Sequence, residues 1–378
     1  MAARVARPRR DAAMKCGLFH TPYNQPQRTP KQIFDWSIEL AQVCDKAGFS
    51  DFLVGEHYTL ALENIPMPEA IIASAAMVTE KLRFAPMAHL LPYHDPATLA
   101  IRVGWLSQVL EGRYYLGVGP GGHHTDAILH GFDDLSELPA RQLEALSIME
   151  KVWKEEPFRF VGEYFRGGFP GPDDMPGYDV TIAKNGLWKG DPFEIAVTAL
   201  SANSNSMKFA GARNYSPISF FGGVDQMISH WETWSTAMRE NGFTPERERL
   251  RVCREVFVAD TDAEAKRRAI AGGLGYSWEH YLLPIYKKFK LLDGIIKDSG
   301  VDISADEVDM EFLAEHVWLC GSPETVTAKI EHLVDKVGSW GMLCINSHDN
   351  IDDMAPANES LQRFAQEVMP KVGASLPA

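Results

Sequence analysis

Residues 112–126 read GRYYLGVGPGGHHTD, a short aromatic and aliphatic run that enters a cluster of glycines and ends beside two adjacent histidines. Tyr114, Tyr115, Leu116 and Val118 make the pattern of a buried strand. Gly117, Gly119, Gly121 and Gly122 then supply a loop with no Cβ to hold a ligand away, so its backbone can approach a phosphate or a flat ring closely. Gly117, Gly119 and Gly122 also satisfy G-x-G-x-x-G, the spelling of a dinucleotide-binding turn. Such a turn opens a helix directly and is followed about 20 residues later by an acidic residue closing a second strand. Here the continuation HHTDAILHGF is not a clean amphipathic helix, and Glu137 lies in LSELPARQ, a loop leading to a helix start. The fingerprint fails on context, and a strand end facing a ligand is preferred to a plain tight turn.

Outward from this stretch the chain alternates strand-like and helix-like segments with short breaks, the pattern of parallel strands joined by crossover helices. Eight units can be counted from Lys15 onward, with strands at CGLFH, DFLVGEHY, LRFAPMAHL, the opening stretch, FEIAVTAL, YSPISFF, RLRVCREVFVAD and MLCINS. Thr29 with Pro30, and Asp95 with Pro96, mark helix starts, and Gly48 marks a helix end. Eight such units favour an α/β fold closed as a TIM (β/α)8 barrel. Insertions are expected after strand 4, at residues 155–192, and after strand 7, at residues 276–312. Residues 1–13 are read as a disordered tail, with Met14 an alternative start, and 14–378 as one domain.

Hydrophobic residues make up 45% and charged ones 23% of the 378, and no apolar run approaches the length of a membrane span. A net charge of -14 opposes nucleic-acid or anionic-membrane binding through bulk electrostatics. Five widely spaced cysteines, never in C-x-x-C, indicate neither a disulfide framework nor a zinc site and suit a reducing cytoplasm. In a barrel the active site lies at the C-terminal ends of the strands. Those ends offer His20, Glu56 and His57, Met87 to His89, Gly119 to His124, the SANSNS segment of residues 201–206, and Ser347 to Asp349. SANSNS stands before a helix, where hydroxyls and free N–H groups make an anion site, or where Ser201 or Asn203 simply caps the helix. Glu56 and His57 could act as acid, base or ligand, or be satisfied structural groups. The twelve histidines form no recognisable metal set, so no metal is expected. Trp231 and Trp234 are expected to pack on the barrel or on a partner subunit.

Taken together, KCGLFHTPYN, VGEHYTL, FAPMAHLLPYHDPATLA, GWLSQVLEGRYYLGVGPGGHHTDAILHGF, YSPISFFGG, EHVWLCGSPETV and SHDNID resemble the luciferase-like flavin monooxygenases, and among them the diketocamphane monooxygenases. The likeness covers about residues 15–370. It implies a usually dimeric barrel that takes reduced FMN from a separate NAD(P)H-dependent reductase and uses O₂ to convert a ketone into a lactone or ester. By position, it implies a cis peptide at Met87-Ala88 against the flavin ring. Gly119, Pro120, Gly121, Gly122 and His123 would line ring and phosphate, Ser201 and Ser204 would hold the phosphate, and Glu56 and Ala199 would lie beside the cofactor. His57 would be the catalytic histidine. Gly119 and Pro120 replace the reactive cysteine and following arginine of luciferases, so bioluminescence is not expected. The rivals are oxygenation of a C=C or C–H bond, a deazaflavin-dependent oxidoreductase of the same superfamily, a nicotinamide dehydrogenase, and a non-catalytic flavin binder.

Overall fold

The computed structural model describes residues 14–375 apart from 175–176, 178–181, 190–192 and 221. The expected tail at 1–13, and part of the turn-rich PGPDDMPGYD, lie outside the described residues. Eight strands form the barrel: β1 (Lys15–His20), β2 (Asp51–Val54), β3 (Arg83–Pro86), β4 (Leu116–Gly119), β5 (Ile195–Ala199), β6 (Ser216–Phe220), β7 (Arg251–Arg254) and β8 (Met342–Asn346). Each pairs in parallel with its chain neighbours, and β8 pairs with β1, Gly17 lying opposite Cys344. Between β3 and β4 the closure runs through Phe84 with Tyr114, and through a second short piece, His89–Leu90, that pairs with Val118 and Gly119. The strands approach closely here. A Cβ on Gly117 would stand 2.2 Å from the Pro86 carbonyl oxygen, so only glycine fits.

Around the barrel run α1 (Pro30–Ala47), α2 (Pro68–Ala76), α3 (Pro96–Val109), α4 (Leu138–Val152), α5 (Asn205–Ala212), α6 (Val224–Glu240), α7 (Pro323–Val337) and α8 (Ala355–Arg363). Thr29 closes a capping box with Gln32, Gly48 ends α1 at φ 94°, and the Asp95 side chain accepts from Thr98 N–H. Trp234 is fully buried and donates to the Tyr215 carbonyl, so it packs on the barrel.

Three details differ from the sequence reading. The long seventh strand is two pieces: Val256–Val258 leaves the barrel to pair with Leu319–Gly321. Between these, helices from Asp262 to Val317 form a larger excursion than residues 276–312, with an apolar core of their own. HHTDAILHGF does form a helix, but only across His124–Leu129. The first insertion is an antiparallel hairpin, Phe158–Val161 with Arg166–Phe169.

Alternation puts Phe19, Leu53, Ala85, Tyr115, Ala196, Ile218, Cys253 and Cys344 inside the barrel. Its N-terminal end is filled by charge. Arg83 lies 2.6 Å from Glu194 and 3.6 Å from Asp51, Arg251 bonds Glu194, and both guanidiniums cover the Tyr115 ring at 4.5 and 4.9 Å. Burial pushes the Glu194 carboxyl up, but Arg251 and Arg83 outweigh it and hold the pKa at about 2. Removing one partner of a buried pair leaves the other charge uncompensated. Glu194→Ala should therefore lower unfolding free energy by about 3 kcal/mol in urea titrations. An unchanged midpoint would show that these charges are solvated and carry no structural load.

Candidate functional site

The C-terminal ends of β2, β3 and β4 build one concave site. Gly119 ends β4 opposite Leu90, and a Cβ built on it would meet the Ala88 methyl at 3.3 Å. The Met87-Ala88 peptide is cis, as the resemblance implied. Gly121 turns at φ 87° with the Tyr93 ring beneath it, Gly122 is exposed with open space around it, and Pro120 is half-buried. His123 is half-buried and meets the His57 ring edge-on, centroids 4.8 Å apart. Met87, Ala88, Gly119 to His123 and His57 thus gather at the ends of β2, β3 and β4.

His57 sits between two acids. Its Nδ1 is 3.2 Å from Asp126 Oδ2 and its Nε2 is 3.2 Å from Glu63 Oε2. Burial lowers the His57 pKa, but Glu63 and Asp126 more than reverse this and raise it above the ordinary value. Asp126 also accepts from Thr59 N–H and the Thr59 hydroxyl. Its carboxyl, penalised by burial, is held at about 2 by the hydrogen bonds from His57 and Thr59. His123 moves the other way, lowered by burial and by the neighbouring His57 charge.

Glu56 is buried, and its carboxylate is turned into the protein. It accepts from His89 Nδ1–H at 2.5 Å, His94 Nε2–H at 2.7 Å and the Tyr58 hydroxyl at 2.7 Å. A second group follows β5. Ala199 is buried at the strand end, Ser201 is exposed, and Ser204 caps α5 by accepting from Ser206 N–H. The cap is thus Ser204, neither Ser201 nor Asn203.

His20 does not join the site. Alternation turns Phe19 inward and His20 outward, where Nε2–H donates to Ser37, Nδ1 accepts from Ser347, and burial holds the pKa at about 3. Asp349 is likewise occupied, paired with Arg28 at 2.9 Å. Sequence reasoning missed Glu63, Asp126 and His94, and also a buried pair, His348 with Glu255 at 2.6 Å. Asp126 stood at the edge of the opening stretch, seven residues past Gly119, but nothing local pointed it at His57.

Two clusters, Glu56–His89–His94 and His57–Glu63–His123, have donor atoms close enough to hold a metal ion. No spacing motif announced them, because their members come from different strand ends. In the first, Glu56 already shares hydrogen bonds with His89 Nδ1 and His94 Nε2, and in the second both carboxylates around His57 favour a proton on its ring. Extensive dialysis against a chelator should leave thermal stability unchanged, and a drop in Tm reversed by a divalent cation would identify a metal centre instead.

The raised His57 pKa contributes stability that is complete below pH 6.5 and lost as pH rises through the folded value. The depressed Asp126 pKa contributes stability present above about pH 3.9 and lost as pH falls towards 2. Asp126→Asn removes one of the two carboxylates, so the His57 midpoint followed by NMR should fall. A midpoint that does not move would mean that Asp126 is not its partner in solution.

Residues 14–339 match the luciferase-like monooxygenase family model. The chain is 65% identical to 2,5-diketocamphane 1,2-monooxygenase 1 of Pseudomonas putida, over 95% of this chain and 99% of that one. It is 44% identical to the 3,6-diketocamphane 1,6-monooxygenase of the same organism, over 95% and 98%. The solved oxygenating constituent of a 3,6-diketocamphane monooxygenase from the CAM plasmid of Pseudomonas putida, in complex with FMN, superposes with a TM-score of 0.90 at 45% identity, covering 95% of this chain and 99% of that one. The strand-end site and these likenesses lead to one conclusion: the chain belongs to the luciferase-like monooxygenase family.

Proposed function

We propose that the protein is the oxygenase component of a two-component, FMN-dependent monooxygenase that converts a cyclic ketone, of the diketocamphane class, into a lactone. The observation that carries this reading is 65% identity to a diketocamphane monooxygenase along 95% of the chain. The site fits the cofactor. A ring would lie against Met87, Ala88 and Gly119, with Gly121, Gly122 and His123 along its edge, and its phosphate would be held by Ser201, Ser204 and the N-terminus of α5. Glu56 supports this site from behind, through His89 and His94.

Reduced FMN, delivered by a separate NAD(P)H-dependent reductase, supplies two electrons to O₂, so that one oxygen atom enters the C–C bond beside the carbonyl and the other leaves as water. The chain's own residues position, exclude water and manage a proton. His57 carries that proton on Nε2, shared with Glu63, while Asp126 fixes the ring through Nδ1.

The oligomeric part of the proposal is a homodimer. Met67 and Met77, which flank α2, Trp105 and Val109 on α3, and Ile128 and Leu129 on the short helix after β4 are each more than half exposed. Exposed large apolar side chains in this number support an interface. Among the described residues no helix is long and apolar enough to cross a membrane. The cysteine pattern supports a reducing cytoplasm as its location.

Oxygen uptake with FMN, a generic flavin reductase and a bicyclic diketone should be ketone-dependent and yield a product heavier by one oxygen. Epoxide from an alkene, or no ketone-dependent uptake, would overturn the reading. His57→Ala should keep FMN affinity and lose roughly 10²- to 10⁴-fold in oxygenation, with more peroxide released. Wild-type rate and coupling in that variant would make His57 structural. Sedimentation should show a dimer that Trp105→Glu converts to monomer.

A further inference from the structure

We propose that His230, on α6, is a positioning residue that holds the loop after β5 in the shape that receives the cofactor's phosphate. This deepens the FMN reading above and rests on it. His230 is fully buried, and its Nε2 lies 2.7 Å from the Ser201 carbonyl oxygen, which can only accept, so Nε2 carries the hydrogen. Its Nδ1 then accepts from the Ser219 hydroxyl at 2.8 Å. Two further residues on the same face of α6 complete the anchorage. Gln226 donates to the Leu200 carbonyl at 2.5 Å and the Phe220 carbonyl at 2.7 Å, and the Ser229 hydroxyl accepts from Asn203 N–H at 2.9 Å.

The consequence follows from peptide geometry. A trans peptide sets each C=O antiparallel to the next N–H. Tying the Leu200 and Ser201 carbonyls to α6 therefore turns the N–H groups of Ser201 and Ala202 away from α6, to the outer side of the loop. Asn203 adopts φ 52°, a left-handed conformation that side chains other than glycine enter at a cost, and its backbone is held there by Ser229. The outward N–H groups of Ser201 and Ala202 and the exposed Ser201 side chain thus lie on the loop just before the start of α5, with no arginine at position 120 to assist. Burial lowers the His230 pKa, which keeps the ring neutral and its single N–H committed to Ser201.

Binding of FMN and of riboflavin, which lacks the phosphate, separates this role from a general structural one. Wild type should prefer FMN. His230→Ala should weaken FMN roughly tenfold, about the value of one hydrogen bond in a site, and leave riboflavin unchanged. His230→Gln, whose amide N–H replaces Nε2–H, should recover part of the loss. If His230→Ala does not fold, Ser229→Ala, which frees Asn203 nearer the surface, should weaken FMN about threefold with riboflavin again unchanged. Equal loss for both ligands, or an FMN preference untouched in these variants, would overturn the role of α6 while the phosphate reading stands. A wild type that binds both ligands alike would overturn the phosphate reading itself, and this inference with it.

Discussion

A carboxylate withdrawn from water stays charged only where donors replace the lost hydration, and Glu56 at the barrel mouth is surrounded by three. His89, His94 and the Tyr58 hydroxyl all point at it, and together they hold its pKa far below the usual carboxylate range despite burial. Because each imidazole must present an N–H to this acceptor, both rings are fixed in tautomer and orientation. The segment from Met87 to His94 is thereby bound to the end of β2. Residues 87 and 88 are carried against Gly119, and His57, the next residue after Glu56, is left facing a different pair of acids. One buried charge thus organises three of the strand ends that make the site.

The two ends of the barrel use charge differently. At the N-terminal end Arg83 and Arg251 face Glu194 and Asp51, and arginine stays protonated at every pH at which the protein folds. That end is an electrostatically fixed plug. At the C-terminal end the carboxylates face imidazoles instead: His57 is raised by Glu63 and Asp126 while its neighbour His123 is lowered.

The fold was legible because its signals are local: a strand run, a cap such as Thr29, a helix, a glycine such as Gly48, repeated eight times. The glycines of 112–126 announced where strands approach closely, because a missing Cβ leaves a mark in the sequence itself. Glu63, Asp126 and His94 left none, since their roles arise from three different strand ends meeting in space. The second half of strand seven was misread for a related reason. Val256–Val258 has the apolar pattern of a barrel strand, and only its partner, Leu319–Gly321, more than sixty residues on, takes it out of the barrel. His230 was invisible too, because a histidine on an amphipathic helix reads as a packing residue until the carbonyl it holds is seen.

The excursion between Asp262 and Val317 is packed largely on itself. Leu274, Trp278, Leu292, Leu313 and Trp318 form a core separate from the barrel's, so most of its packing energy is internal. At the mouth it sets Ser277 beside His348 at 2.5 Å, and Tyr281 6.1 Å from Tyr23, whose ring stacks on His348. His348 in turn donates to Glu255, at the point where strand seven leaves the barrel. Substitutions on the inner face of the excursion can therefore change the groups beside His348 and Tyr23 while β1 to β8, the Glu56 network and the α6 anchors stay in place. The barrel and the excursion are thus packed as separate cores, and His348 with Glu255 is one of the places where they meet.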